Sequence, residues 1–222
     1  MRRLIFVVAV LLFTFANALG QIAGNPENWC RNGAFPQDSE SYSIATVKAK
    51  RGARVYFYGD DDDCPNAKNC RGKSYLIAKN QVIVSREFGK WACVWYQPKR
   101  GAETVGWIPS SNLTYSPGAT PRARDWIGEW TFYENTITIA ATKTENVYEV
   151  KGSAFWRGYG DNIHIGELDG TATLADGKLR YGFDGQYDCR ATFSLVGKYL
   201  IGSDNLNCGG ANVTFSGVYR RK

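Results

Sequence analysis

"YSPGATPRARDW", residues 115–126, is where the periodicity of this chain stops. Pro117, Gly118 and Pro121 stand close together there. Proline has no N–H to give a ladder and glycine is costly to order, so the stretch breaks regular structure. On both sides the sequence returns to short alternating runs rich in Val, Ile, Thr and aromatics, punctuated by Gly, Asn and Asp. That pattern is all-β. Residues 117–125 are therefore expected to be a linker between two β units.

Outward toward the N-terminus, strands are expected in "ARVYFYG" (53–59), in "KSYLIAKNQVIVSREF" (73–88) as a pair turning at "AKNQ", in "KWACVWYQP" (90–98) and in "ETVGWIPSSNLTY" (103–115). Outward toward the C-terminus there are eight further runs: "GEWTF" (128–132), "TITIAAT" (136–142), "NVYEVKGSAFW" (146–156), "NIHIGELDGTATL" (162–174), "KLRYGF" (178–183), "CRATFSLV" (189–196), "YLIGSD" (199–204) and "NVTFSGVY" (212–219). Short turns between so many strands suit an up-and-down meander that closes on itself, since closure removes exposed sheet edges.

The first set of strands, with the stretch "VGWIPSSNL" (105–113) as its most specific piece, resembles the bacterial SH3-like domain, SH3b, over residues 43–116. The resemblance implies an SH3-like barrel and recognition of peptidoglycan or its peptides. "GEW" at 128–130 resembles the Gly-x-Trp opening of lipocalin and avidin barrels, which implies a late basic residue packed over Trp130, with Arg220 the candidate. "CRATFSLVGKYLIGSDNLNCGGANVTFSGVYRR" (189–221) is similar to a C-terminal module of exported proteobacterial proteins, some of them attached to lysozyme-inhibitor-like segments. The expected fold is thus all-β, an SH3-like barrel followed by a small antiparallel up-and-down β-barrel-like domain over 126–222.

Residues 1–20 carry Arg2 and Arg3, an apolar run from Leu4 to Phe15 and small residues at Ala16, Ala18 and Gly20. This is the layout of a cleaved secretory signal, with an apolar centre shorter than the roughly 20 residues a bilayer span needs. A secreted or periplasmic product with no membrane span after cleavage is expected, in which residues 21–42 form an irregular lead-in. Loss of Arg2 and Arg3 lowers the formal charge from +6 to +4. The bases are scattered in sequence, so no nucleic-acid partner is expected.

The export signal also decides the cysteines. Six in an oxidising compartment normally pair. Two pairings are local, Cys64 with Cys70 and Cys189 with Cys208, which leaves Cys30 with Cys93 by elimination. "GDDDDCPNAKNC" (59–70) then reads as a disulfide-closed acidic loop. Its carboxylates are consecutive, with no closing Glu in the twelfth place of a calcium loop, and with a single histidine in the chain the thiols lack zinc co-ligands. No metal and no cofactor are expected.

Catalytic constellations are incomplete. "YDCRATF" (187–193) touches the Asp-Cys signature of cell-wall cysteine peptidases, but no histidine lies downstream of Cys189 to activate a thiolate. "SDN" (203–205) lacks the Ser-x-x-Lys and Lys-Thr-Gly partners of serine β-lactamases. His164 alternates with Ile163 and Ile165 in a strand, and Glu167, Asp169 and Asp184 are acids scattered over strands and turns. No enzyme is expected. The aromatics carry the binding expectation: Tyr58, Trp95 and Trp107 beside Asp61, Asp62 and Asp63 form the candidate site. The expected partner is peptidoglycan or an envelope protein. One alternative is an inhibitor that inserts the acidic loop into a basic cleft, and another is a small ligand held by the C-terminal barrel.

Overall fold

The computed structural model describes residues 26–37, 41–182 and 188–222. The expected signal at 1–20 lies outside the described residues. Among the described residues, no helix is long and apolar enough to cross a membrane.

The protein is all-β and has two parts. The first is a seven-stranded antiparallel sheet made of β1 (Ser43–Val47), β2 (Val55–Tyr58), β3 (Arg71–Leu76), β4 (Gln81–Phe88), β5 (Trp91–Tyr96), β6 (Thr104–Pro109) and β7 (Leu113–Tyr115), in the order β3-β2-β6-β5-β4-β1-β7. Alternation places Val55 and Phe57 of β2, Val82 and Val84 of β4, and Ala92 and Val94 of β5 in one buried cluster with Leu76 and Ile108. The turn expected at "AKNQ" exists, with Asn80 N–H donating to the Ile77 carbonyl. The strands it joins do not pair with each other, however. β3 pairs with β2, and β4 with β1 and β5. The reason is that β1 captures the turn: Lys79 N–H donates to the Val47 carbonyl and Val47 N–H to that of Asn80, which swings the chain away from β3.

The second part is a closed eight-stranded antiparallel barrel. Its strands are β8 (Gly128–Phe132), β9 (Asn135–Ala141), β10 (Val147–Arg157), β11 (Ile163–Ala175), β12 (Lys178–Gly182), β13 (Arg190–Val196), β14 (Tyr199–Asp204) and β15 (Gly217–Arg221). Each pairs with its neighbours in sequence, and β15 closes on β8 through Arg220 opposite Thr131 and Arg221 opposite Trp130. The interior is filled by side chains: Trp126, Trp130, Ile137, Phe193, Phe215 and Tyr219 are each no more than 1% exposed. A small ligand held inside the barrel therefore gains no support. Trp126 arrives on a single helical turn, α1 (Ala123–Trp126), within the last part of the linker.

Two expectations at the closing strand are corrected. β15 begins at Gly217, not at residue 212. The carboxylate of Asp204 accepts from Phe215 N–H at 3.0 Å, from the Ser216 hydroxyl at 2.7 Å and from the Thr214 hydroxyl at 2.5 Å, so these residues turn inward before a ladder can form. This is also the role of the "SDN" stretch. The basic residue over Trp130 is Arg221, 4.3 Å from the ring centroid, not Arg220. On a strand whose Tyr219 is inside, residue 221 shares that side and residue 220 takes the other. Gly128 is required here. Its φ is +143°, and a Cβ on it would meet the Arg221 guanidinium at 2.5 Å.

The three disulfides pair as expected: Cys30 with Cys93, Cys64 with Cys70, and Cys189 with Cys208.

Candidate functional site

The outer face of β4, β5 and β6 is not bare. Ile83, Trp91, Trp95 and Trp107 from the sheet form one cluster with Ile201 and Val218 from the barrel and Cys30 and Phe35 from the lead-in. Burying side chains such as Phe35, Ile201 and Val218 is worth roughly 1.5–3 kcal/mol each. The two β units and the lead-in therefore share a core.

This reorders the site expected from sequence. Trp107 is fully buried, and its indole N–H donates to the Asn28 carbonyl at 2.7 Å. Trp95 is 4% exposed and meets Tyr199 of the barrel edge to face, with centroids 5.1 Å apart. Tyr58 is half-buried, its ring 4.5 Å from that of Trp91. Neither Trp95 nor Trp107 offers a ring face to solvent, because the lead-in and the barrel already occupy that side of the sheet.

The acidic loop divides by function as well. Asp60 is buried and accepts from Cys30 N–H and from Arg31 Nε, each at 2.7 Å. Asn28 adds a bond from its amide to the Cys64 carbonyl, and the Arg86 guanidinium donates to the Trp29 carbonyl. Asp60 thus clamps the lead-in onto the loop. The backbone N–H and the guanidinium converge on a single carboxylate oxygen, so both bonds are charge-assisted. Asp61 lies 3.5 Å from Arg31, while Asp62 and Asp63 are exposed at the loop tip. The sequence presents four equivalent aspartates; the one that matters most to the fold is recognisable only from its partners.

An open groove does exist where the two units meet. Two adjoining clefts of about 320 and 250 Å³ share Trp95, Glu103, Phe132, Tyr133 and Val218. Gly217 forms the floor beside Phe132, and any Cβ there would strike that ring at 2.4 Å. Tyr133 is 72% exposed, stacks edge to face on Phe132 with centroids 4.8 Å apart, and donates its hydroxyl to Glu103 at 2.8 Å. The hydrogen bond to that carboxylate is the main cause that holds the Tyr133 hydroxyl above the ordinary phenol range. Gln97 and Arg220 complete the wall, and Arg220 points there for the register reason given above. Of the residues expected from sequence, only Trp95 belongs to this groove. Tyr133, Glu103 and Arg220 come from turns and strand ends far apart in sequence, and no periodicity marks them.

A larger cleft of about 780 Å³ opens against linker residues 116–121, with Arg124, Lys198 and Arg221 on its rim. One wall is irregular linker, a poorer support for a binding constellation than strands.

The remaining chemistry is occupied. All six cysteines are in disulfides. The Nδ1 of His164 lies 2.5 Å from the Ala211 carbonyl, and its ring stacks on Trp156. Glu167 and Asp169 stand exposed on the barrel's outer surface, and Asp184 lies outside the described residues. Among the described residues, no group of three His, Cys, Asp or Glu side chains is placed to hold a metal. Comparison with protein-family models, with curated proteins and with solved structures finds no match to this chain.

Proposed function

We propose that this chain is an exported, non-enzymatic binding protein of the bacterial cell envelope that takes the peptide part of peptidoglycan in the groove between its two β units. The observation that carries the reading is the pairing of exposed Tyr133 with Glu103 across the junction, opposite Arg220. Peptidoglycan peptides carry free carboxylates and amines on a short apolar backbone. Arg220 suits the carboxylate, Glu103 the amine, and Phe132 and Tyr133 the aliphatic parts. The resemblance of residues 43–116 to SH3b supplies the ligand class, while the export signal and the disulfides fit the compartment.

The test is co-sedimentation of the oxidised, full-length mature chain with purified peptidoglycan, beside Arg220→Gln and Glu103→Gln. Binding by the parent that falls about tenfold in either variant supports the groove. Equal binding by all three moves the site elsewhere, and no binding by the parent removes the reading.

The acidic-loop inhibitor is the weaker reading. Asp60 is consumed in holding the lead-in and Asp61 leans on Arg31, which leaves two free carboxylates for a basic cleft.

A further inference from the structure

β3 is an edge strand: it pairs with β2 alone and ends the sheet order. Five of its six residues are exposed in succession, Arg71 to Tyr75, while Leu76 turns into the core, and among the described residues no strand pairs with its outer edge. Tyr75 stands opposite Tyr56 and Arg71 opposite Tyr58, and β3 bulges between them, with Lys73 exposed on the bulge and Arg54 exposed at the start of β2. The guanidinium of Arg71 sits 4.7 Å from the Tyr56 ring centroid, and that of Arg54 4.4 Å from the Tyr75 centroid. Tyr56 and Tyr75 meet edge to face at 5.9 Å. Stacking uses the face of the Arg71 guanidinium and leaves its in-plane N–H donors available, while Arg54 also donates a hydrogen bond to Tyr56.

Charge sets this region apart from the rest of the molecule. Between Glu40 and Asp60, and again between Asp63 and Glu87, the sequence contains no acid. Arg54, Arg71 and Lys73 are exposed, and none of them stands in an ion pair among the described residues. Cations on an edge keep like edges from pairing. They do not repel an acidic strand.

We infer that the β3 edge is a docking site for an acidic, extended peptide segment of a partner protein, which adds to the sheet as a further strand. A strand added to β3 satisfies its open backbone groups, and its side chains at alternate positions lie on the side that carries the exposed cations. Carboxylates at those positions fall opposite the cations. A nucleic-acid strand fits less well, because the tyrosine faces on which bases would stack are taken by arginines.

The experiment is fluorescence anisotropy of the oxidised, full-length mature chain with short N-acetylated peptides. One carries Asp at alternate positions among Thr and Val, one has the same composition scrambled, and two carry N-methyl groups on alternate amides in either phase. Alternating acid should bind, one N-methyl phase should lose at least about tenfold while the other retains affinity, and scrambling should weaken binding similarly. Arg71→Glu with Lys73→Glu should reverse the preference toward a peptide with alternating Lys; unchanged circular dichroism shows that the variant is folded. Equal binding of both N-methyl phases and of a polyuronate of matched charge overturns strand addition in favour of a general polyanion surface. No binding of the alternating acid peptide overturns the proposal outright. Peptidoglycan binding through Glu103 and Arg220 is a separate readout and stands or falls on its own.

Discussion

The outer face of the first sheet has two halves built from the same ingredients and put to opposite use. On β4, β5 and β6 the outward Trp91, Trp95 and Trp107 are buried under the lead-in and the barrel. On β2 and β3 half-buried Tyr56 and exposed Tyr75 carry Arg71 and Arg54 on their rings, and neither arginine stands in an ion pair among the described residues. What differs is whether another part of the chain arrives to cover the rings. An aromatic on the outward side of a strand is thus a request for a partner, and here one half is answered internally while the other is left open.

The strongest test of this contrast is truncation on each half. Trp95→Ala should cost about 3–5 kcal/mol in urea unfolding, as a large ring removed from a close-packed core. Tyr75→Ala should stay within about 0.5 kcal/mol. A cost below about 1 kcal/mol at Trp95 would mean that the two units do not share a core. Opening the tether that holds the lead-in comes next. Replacing Cys30 and Cys93 together by Ser should cost about 2–5 kcal/mol, given the 63-residue separation of the bridge. It should also raise the reactivity of Trp107 to a soluble quencher, and an unquenched Trp107 would place the cover elsewhere.

The acidic loop gives a third, smaller contrast. Asp60→Asn should cost about 1.5–3 kcal/mol through loss of charge-assisted bonds to Cys30 N–H and Arg31, whereas Asp63→Asn should be within about 0.5 kcal/mol. Equal effects at the two positions would remove the clamp from the account. The mildest effect is in alkaline solution. Desolvation inside the barrel holds the Tyr219 hydroxyl well above its ordinary value, and it donates to the Phe215 carbonyl. The unfolded chain releases that proton near pH 10, while the folded chain keeps it to higher pH. The folded state therefore binds more protons in that window, and stability falls as pH rises beyond about 10. Tyr219→Phe should flatten that slope in chemical unfolding measured across pH, and Tyr75→Phe should not.

Much of the fold was legible. Proline and glycine at 117–121 divide two β units, and seven of the eight expected barrel strands lie within a residue or so of their observed bounds. Where the sequence misled, a distant partner intervened: Asp204 drew residues 214–216 out of the last strand, and Val47 drew the turn at 77–80 away from a hairpin. The candidate site was far less legible. Tyr58, Trp95 and Trp107 were recognisable as outward aromatics, but outwardness on a strand does not reveal what else packs there. Three of the bases scattered in sequence, Arg54, Arg71 and Lys73, meet at one sheet edge, since antiparallel pairing sets Val55 opposite Leu76.

The sequence alone determined what is local: the β character of the chain and the break at 117–121. Two of the disulfides belong to the same class, because their cysteines are near neighbours along the chain. Tertiary structure alone decided which aromatics are core and which are surface, which of four aspartates is structural, and where Tyr133, Glu103 and Arg220 converge. The physical reason is that alternation fixes only the side of a strand on which a residue lies. Burial, pairing and charge complementarity depend on what the rest of the chain brings to that side.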